Sequence, residues 1–417
     1  MSRYTCRMLF AGFIVLFFAW PLCSGAQGNL PFQEFNIYTG STHAHTILTM
    51  SHGEHLQREP DAKKFMLVDS NHLNRPSNMQ MKKDWQAVQG LPSMHYEAAK
   101  KNRYDFYVCT DHSQEECFFP NEPFNTAWIV SHKQAELAST NGFVGLVGYE
   151  HSENDGPGGK GHINVINTVG YLNALEPGVD IKKLYAWLKQ AAPYVDGPVV
   201  ASFNHPSPTQ YDSFSGRDEA ITDIITMLEV INSNKNIHYE GFLAALDKGW
   251  KVAPVCGNDN HGLSAIGKHK SRTFVLAKNN TQKEILEAMK NRRTYASLEE
   301  NIQCRYSVND QIMGSTLGSK PKFHFNIHIT DPDINVAADK ITRIDIVANG
   351  GKTVASYEVP VPAHEVHWQP EIKNEGYAYF FVRVWNAGGG DLEPAVGKAS
   401  PNASQPIAWL APVWIGP

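Results

Sequence analysis

His43 and His45 lie one residue apart in "GSTHAHT", directly after the short apolar run "FNIY". On a strand, side chains alternate faces, so the two imidazoles would point the same way and Ala44 the other. Further metal-capable side chains follow apolar runs in the same manner. "YDFYVC" leads into Thr110, Asp111 and His112, and "FVGLVGY" ends at Glu150 with His151 next. "VVASFN" ends at His205, and "KVAPVCGN" ends at Asp259 with His261 two residues on. Parallel strands gather their C-terminal ends at one face, where side chains distant in sequence converge. Imidazole with carboxylate suits zinc, manganese or iron, and the shortage of well-placed cysteines argues against a thiolate site. A carboxylate such as Glu150 can bridge two cations. A site of that kind activates water near neutral pH and clamps the attacking and leaving oxygens of an ester. Hydrolysis follows more easily from this donor set than redox chemistry.

Each motif alone is weak: "TDH" can be a helix cap and "NHP" a turn before proline. Their recurrence at successive strand ends carries the argument. Of the 18 histidines, His132, His238, His269, His324, His328, His364 and His367 are read as surface or satisfied core residues.

The elements that would position these groups read as α/β. From Asn36 to about Thr294, short apolar runs alternate with helical patterns such as "IKKLYAWLKQAA", "YEGFLAALDKG" and "TQKEILEAMKNRR". Thr281 and Glu284 form a capping-box pattern in the last of these, and Lys248 followed by Gly249 marks a helix stop in the second. After "RRTYAS" a period of two takes over. In "FHFNIHI" it places Phe323, Phe325, Ile327 and Ile329 on one face, and Asn349-Gly350-Gly351 reads as a hairpin turn. The expected organisation is a barrel over 27–298 and an antiparallel β-sandwich of immunoglobulin size over 299–417.

The chain has 417 residues, 42% of them hydrophobic and 19% charged, with a formal charge of −5. That balance describes a globular protein with no Lys/Arg-dense tract for a nucleic acid. Residues 1–26 read as a secretory signal peptide: Arg3 and Arg7 precede an apolar run from about Met8 to Leu22, and Ser24 and Ala26 are placed for a cut before Gln27. The run is shorter than the ~20 residues a span needs, so no transmembrane helix is expected in the mature, secreted or periplasmic chain. Cleavage would leave Cys109, Cys117, Cys256 and Cys304, enough for two disulfides at most, with Cys109 read as a buried thiol.

Taken in order, "GSTHAHT", "YDFYVCTDHS", "FVGLVGYEHS", "GHINVINTVGY", "FNHPSP", "MLEVINS", "VAPVCGNDNH" and "RRTYAS" resemble the polymerase and histidinol phosphatase (PHP) superfamily. Within it, the chain resembles the exported metallohydrolase branch that includes carbaryl-hydrolase-like proteins. The resemblance covers nearly all of the mature chain. It implies a distorted (β/α) barrel with two or three divalent metals at its C-terminal face and a β-sandwich behind it. The implied ligands are His43, His45, His112, Glu150, His162, His205, Asp259 and His261, with Asp111 orienting an imidazole. One feature departs from the family pattern. Where a Ser-Asp-Gly usually follows HxHT, this chain has "HTILTMSHGEH", so either the third metal is weakened or His52 or His55 replaces the carboxylate. The long segment from Met50 to His95, with His72 inside it, is read as a substrate-shaping lid.

The reading these residues support is an exported metal-dependent hydrolase of a small-molecule or glycan-linked ester, with a phosphoester favoured. Arg272 or Lys268, near "GNDNH", would be supplementary clamps on phosphate oxygens. The alternatives are a carboxylic or carbamic ester hydrolase or a glycan-directed lyase using the same metals, and a metal-dependent binding module. Aromatics between the motifs, among them Trp85, Tyr96, Phe118, Phe119 and Trp128, are read as packing before sugar stacking.

Overall fold

The computed structural model describes residues 32–49 except 33, the backbone of 54–58 and 65–69, residues 89–390 apart from 119–120, 123, 141, 153–159, 175 and 234–235, and residues 405–416. The segment expected to be a signal peptide, His52, His72, Trp85 and Phe119 lie outside these residues, as do the side chain of His55 and most of the proposed lid.

The first strands in chain order are β1 (Asn36–Ser41), β2 (Glu54–Arg58), β3 (Phe65–Asp69), β4 (Phe106–His112), β5 (Val144–Ser152) and β6 (His162–Ile166). They are followed by β7 (Val200–Asn204), β8 (Ile225–Asn232), β9 (Asn236–Ile237), β10 (Ala253–Gly257), β11 (Arg272–Ala277) and β12 (Thr294–Ser297). β2 and β3 pair only with each other. The main sheet runs β10-β8-β7-β6-β5-β4-β1-β11-β12. β5, β7, β8 and β10 are buried along their whole lengths and β4 up to its last residue, His112, as near-continuous apolar runs in a covered sheet should be.

The helices form where the sequence signals them. Thr281 caps Gln282–Lys290 by accepting from the Glu284 N–H, and Gly249, at φ 85°, follows Tyr239–Asp247. In Ile181–Leu188 the buried face is Ile181, Leu184, Tyr185 and Leu188; the sequence spacing of Leu184, Trp187, Leu188 and Ala191 gives two of these, while Trp187 is half-buried and Ala191 lies past the helix end.

Two features correct the expectation of a barrel of parallel strands. β6 runs antiparallel to both neighbours, β5 and β7, and β11 runs antiparallel to β1 and β12. The backbone ladder also stops at β10: among the described residues it does not return to β11 or β12, although β10 packs beside both. Threonines span that seam. Thr273 Oγ1 accepts from Cys256 N (2.7 Å) and donates to Cys256 O (2.8 Å), and Thr294 Oγ1 donates to Pro254 O (3.0 Å).

Beyond β12 the sheet continues without a break, because Tyr295 of β12 pairs with Leu410 of Ala408–Leu410 and that strand pairs with Tyr379–Asn386. A second sheet, which includes Gln303–Val308, Lys322–Thr330 and Glu365–Trp368, covers this extension. Phe323 and Phe325 reach across to Phe380, at ring distances of 5.2 and 5.4 Å. One layer of the β-rich C-terminal part is therefore an extension of the main sheet. The hairpin turn at Asn349–Gly351 joins Ile341–Ala348 to Lys352–Ala363. Cys109, Cys256 and Cys304 are buried thiols outside any disulfide, and Cys117 Sγ donates to Leu48 O at 3.2 Å. Tyr96, Phe118 and Trp128 are buried in the core. Among the described residues no helix is long and apolar enough to cross a membrane.

The seam predicts its own weak point. Thr273→Val keeps the shape but leaves the buried Cys256 N–H without an acceptor, and should cost about 2 kcal/mol in urea denaturation. Thr294→Val, which removes one bond from a carbonyl, should cost about half that.

Burial predicts acid sensitivity as well. His95 and His132 are pushed from 6.5 to about 4 because burial disfavours their charged forms. Between those values the unfolded chain binds protons that the folded one refuses. The contribution of these two groups to stability should therefore fall as pH drops from about 6.5 toward 4 and level off below. The slope of unfolding free energy between pH 7 and 5 should be shallower in His132→Gln.

Candidate metal centre

β1 ends at Ser41, and the residues after it are held by its neighbours' backbones. His45 N donates to Asn260 O (2.9 Å), Asp259 N to His43 O (3.0 Å) and Thr110 N to Ala44 O (2.7 Å). Ala44 forms a single bridge to Asn260, so the segment stays extended and both imidazoles turn to the same side. Their Nε2 atoms stand 3.0 Å apart, and neither ring is exposed.

The other groups arrive from strand ends. His112 closes β4 and is level with Glu150 of β5, whose Oε2 it meets at 2.9 Å through Nε2. His205 follows β7 at φ 32°, and Asp259 follows β10 at φ 45°. Left-handed backbone at these two non-glycine residues turns their side chains in at a cost of about 1 kcal/mol or more each. His162 opens β6, and because β6 runs against its neighbours, its N-terminus lies at the edge where theirs end. It pairs with Ser152 on one side and Asn204 on the other.

Glu150, 1% exposed, sits in the middle. Its Oε1 is 2.9 Å from Asn204 Nδ2, 3.2 Å from His162 Nδ1, 3.4 Å from His43 Nε2 and 3.5 Å from His205 Nε2. Its Oε2 is near His112, His45 (3.6 Å) and the Ser152 hydroxyl (3.1 Å). Asp259 Oδ1 approaches His45 Nε2 at 3.0 Å, and His261 stacks on His45 with ring centroids 4.2 Å apart. The donors fall into three adjoining triads: His43, His45 and Glu150; His45, His112 and His261; Glu150, His162 and His205. The first two share His45, and the first and third share Glu150.

The electrostatics are those of buried lone pairs competing for few protons. Burial pushes His43 down, yet the carboxylates of Glu229, Asp259 and Glu150 outweigh it and hold His43 well above its usual value. Burial, with His261 and His112 nearby, holds His45 well below. Burial raises Glu150 and Asp259, but the surrounding imidazoles, His162 and His43 for Glu150 and His43 and His45 for Asp259, bring both well under the ordinary carboxylate range. His45 Nδ1 is buried without a hydrogen-bond partner. Imidazole nitrogens and carboxylate oxygens this close fit divalent cations, which would replace shared protons as the group that reconciles the lone pairs.

Asp111 and Arg272 serve in other ways than expected. The Asp111 carboxylate accepts from Thr46 N (2.7 Å), Thr49 N (3.0 Å) and Thr46 Oγ1 (2.8 Å). It therefore fixes the loop after His45 and orients no imidazole. Thr49 Oγ1 in turn accepts from His112 N at 2.7 Å. Arg272 is 3% exposed and stacks on Tyr104 at 3.9 Å. It donates to the carbonyls of His269 (2.6 Å) and Ser271 (2.9 Å) and pairs with Glu300 at 3.6 Å, so its guanidinium is engaged outside the cluster. His151 turns away to Leu172 O.

The residue that sequence reasoning left without a role is Glu229 of "MLEVINS". It is fully buried in β8, with Oε1 2.7 Å from His43 Nδ1 and Oε2 accepting from His205 N (2.9 Å) and Asn232 Nδ2 (3.0 Å). A carboxylate can only accept here, so His43 donates from Nδ1, and the proton that a cation would displace is the one on Nε2, which faces the cluster. A charge in mid-strand among apolar residues was the available signal. Gly257 makes room for it, since a Cβ there would lie 1.9 Å from Glu229 Oε1.

No family model matches the chain, and no curated protein does. Among solved structures it is similar to a two-domain protein from Bacteroides vulgatus ATCC 8482, described as containing a predicted PHP-like metal-dependent phosphoesterase. The identity is 16% and the TM-score 0.44, over 90% of this chain and 96% of that one. It is also similar to a lesion-specific endonuclease from Pyrococcus furiosus, at 12% identity and a TM-score of 0.35, over 74% of this chain and 62% of that one.

The geometry predicts that Glu229→Gln and Gly257→Ala, neither of which removes a donor of the three triads, each weaken metal affinity by about 10- to 100-fold. Titration of chelator-stripped protein with zinc or manganese measures it. Unchanged affinity in both would refute the positioning role of Glu229.

Proposed function

We propose that this chain is an exported PHP-type metallohydrolase that cleaves a phosphoester. The observation that carries the reading is Glu150, a buried carboxylate whose two oxygens each face separate sets of imidazoles. His43, His45, His112, His162, His205, His261, Asp259 and Glu150 would hold the divalent ions. When bound, these would supply an acidified water and positive charge toward phosphoryl oxygens. The ordered motifs from "GSTHAHT" to "GNDNH" support the family, and the leader-like first 26 residues support export.

The chain's own groups set the direction of approach. His43, His45 and Glu150 form a closed floor, whereas the side chains of His205 and His162 are 24% and 30% exposed. A substrate therefore enters on the β6–β7 side. Glu229 and Asn232 keep His43 and Asp259 in place from beneath, and the Thr46–Thr49 loop, held by Asp111, fixes His112.

The purified mature protein, supplied with manganese, zinc or iron, should hydrolyse generic phosphomonoesters or phosphodiesters. Glu150→Ala and His112→Ala should each lose about 100-fold or more of that turnover. Activity confined to aryl esters or carbamates would replace the phosphoester with a carboxylic or carbamic ester. Bound metal without any turnover would leave a binding module.

A further inference from the structure

The second sheet of the C-terminal part carries a donor cluster that the candidate centre does not use. Along Lys322–Thr330, alternation buries Phe323, Phe325, Ile327 and Ile329 and turns His328 and Thr330 outward. Along Glu365–Trp368 it buries Val366 and turns Glu365 and His367 outward. The strands are antiparallel neighbours with His328 opposite His367 and Thr330 opposite Glu365, so these four side chains make a rectangle on one face.

His328 Nε2 is 3.0 Å and His367 Nε2 3.2 Å from the same oxygen, Glu365 Oε1, and Thr330 Oγ1 is 3.1 Å from His328 Nε2. The three ligand atoms of His328, Glu365 and His367 lie within 4.8 Å of one another. In a tetrahedral zinc site, bonds of about 2.0–2.1 Å set neighbouring donors about 3.3 Å apart. The nitrogen-to-oxygen spacings here match within a few tenths of an ångström, and the ladder fixes the backbone positions from which these side chains project.

We propose that His328, Glu365 and His367 form a second, independent site for a divalent transition metal of the zinc type. Water or the Thr330 hydroxyl fills the fourth position. The rings stack at 3.9 Å with planes 18° apart, so a metal must open them slightly to bring both lone pairs to one point. Their exposure, 26% and 54%, leaves that freedom. The bound ion cross-links two adjacent strands of the covering sheet and so favours the folded state. The site's existence does not rest on the hydrolase reading.

The test uses full-length protein equilibrated with zinc and passed through gel filtration. Elemental analysis should find one zinc fewer per chain in His367→Gln and in Glu365→Gln than in the unaltered protein, with metal-dependent turnover, where present, unchanged. Anomalous scattering at the zinc edge from crystals of the unaltered protein should show a peak between His328 and His367. Equal zinc counts in all three proteins, or no peak there while the candidate centre is filled, would overturn the proposal and leave a hydrogen-bonded surface triad only. The crystal readout stands whether or not a variant folds.

Discussion

A carboxylate with two oxygens, buried to 1% exposure among imidazoles, is the constraint around which the rest of the molecule is arranged. An unpaired charge at that depth would be prohibitively costly, so Glu150 can exist there only if positive or proton-donating groups surround it. Those groups come from β4, β6, β7 and the segments after β1 and β10, which is why the sheet must bring one end of each to a common edge. The antiparallel insertion of β6 is part of that solution, since it adds an imidazole at the edge without adding another crossover helix.

A second layer holds the first. Glu229 beneath His43 and Asp111 beneath the Thr46–Thr49 loop are both fully enclosed, and each satisfies several donors at once. Such groups fix which ring nitrogen carries a proton and where a loop lies, so their effect reaches the chemistry through other residues. The seam between β10 and β11 is joined by threonine hydroxyls where backbone pairing is missing, and it lies directly below Gly257 and Asp259. Stability of the sheet and geometry of the centre therefore share the same short stretch of chain.

The β-rich C-terminal part continues the main sheet through β12 and Ala408–Leu410, so its core and the part that carries the imidazole–carboxylate cluster are built on one ladder. Its outer face carries His328, Glu365 and His367, residues without any neighbouring motif in sequence. Only strand register brings them together.

The sequence by itself determined the strand-end pattern of His43, His45, His112, Glu150, His205, Asp259 and His261, because short apolar runs and their terminating polar residues are local properties. It also determined the Thr281 cap, the stop at Gly249 and the turn at Asn349–Gly351, which depend on backbone conformations a few residues long. Tertiary structure decided what depends on direction and partner. His162 joins the cluster because β6 runs backward, which no local pattern states. Asp111 serves a loop and Arg272 a tyrosine and two carbonyls, because hydrogen bonds go to whatever the fold places nearest. Glu229 gains its role because β8 lies beneath His43, and that neighbourhood is a matter of sheet order.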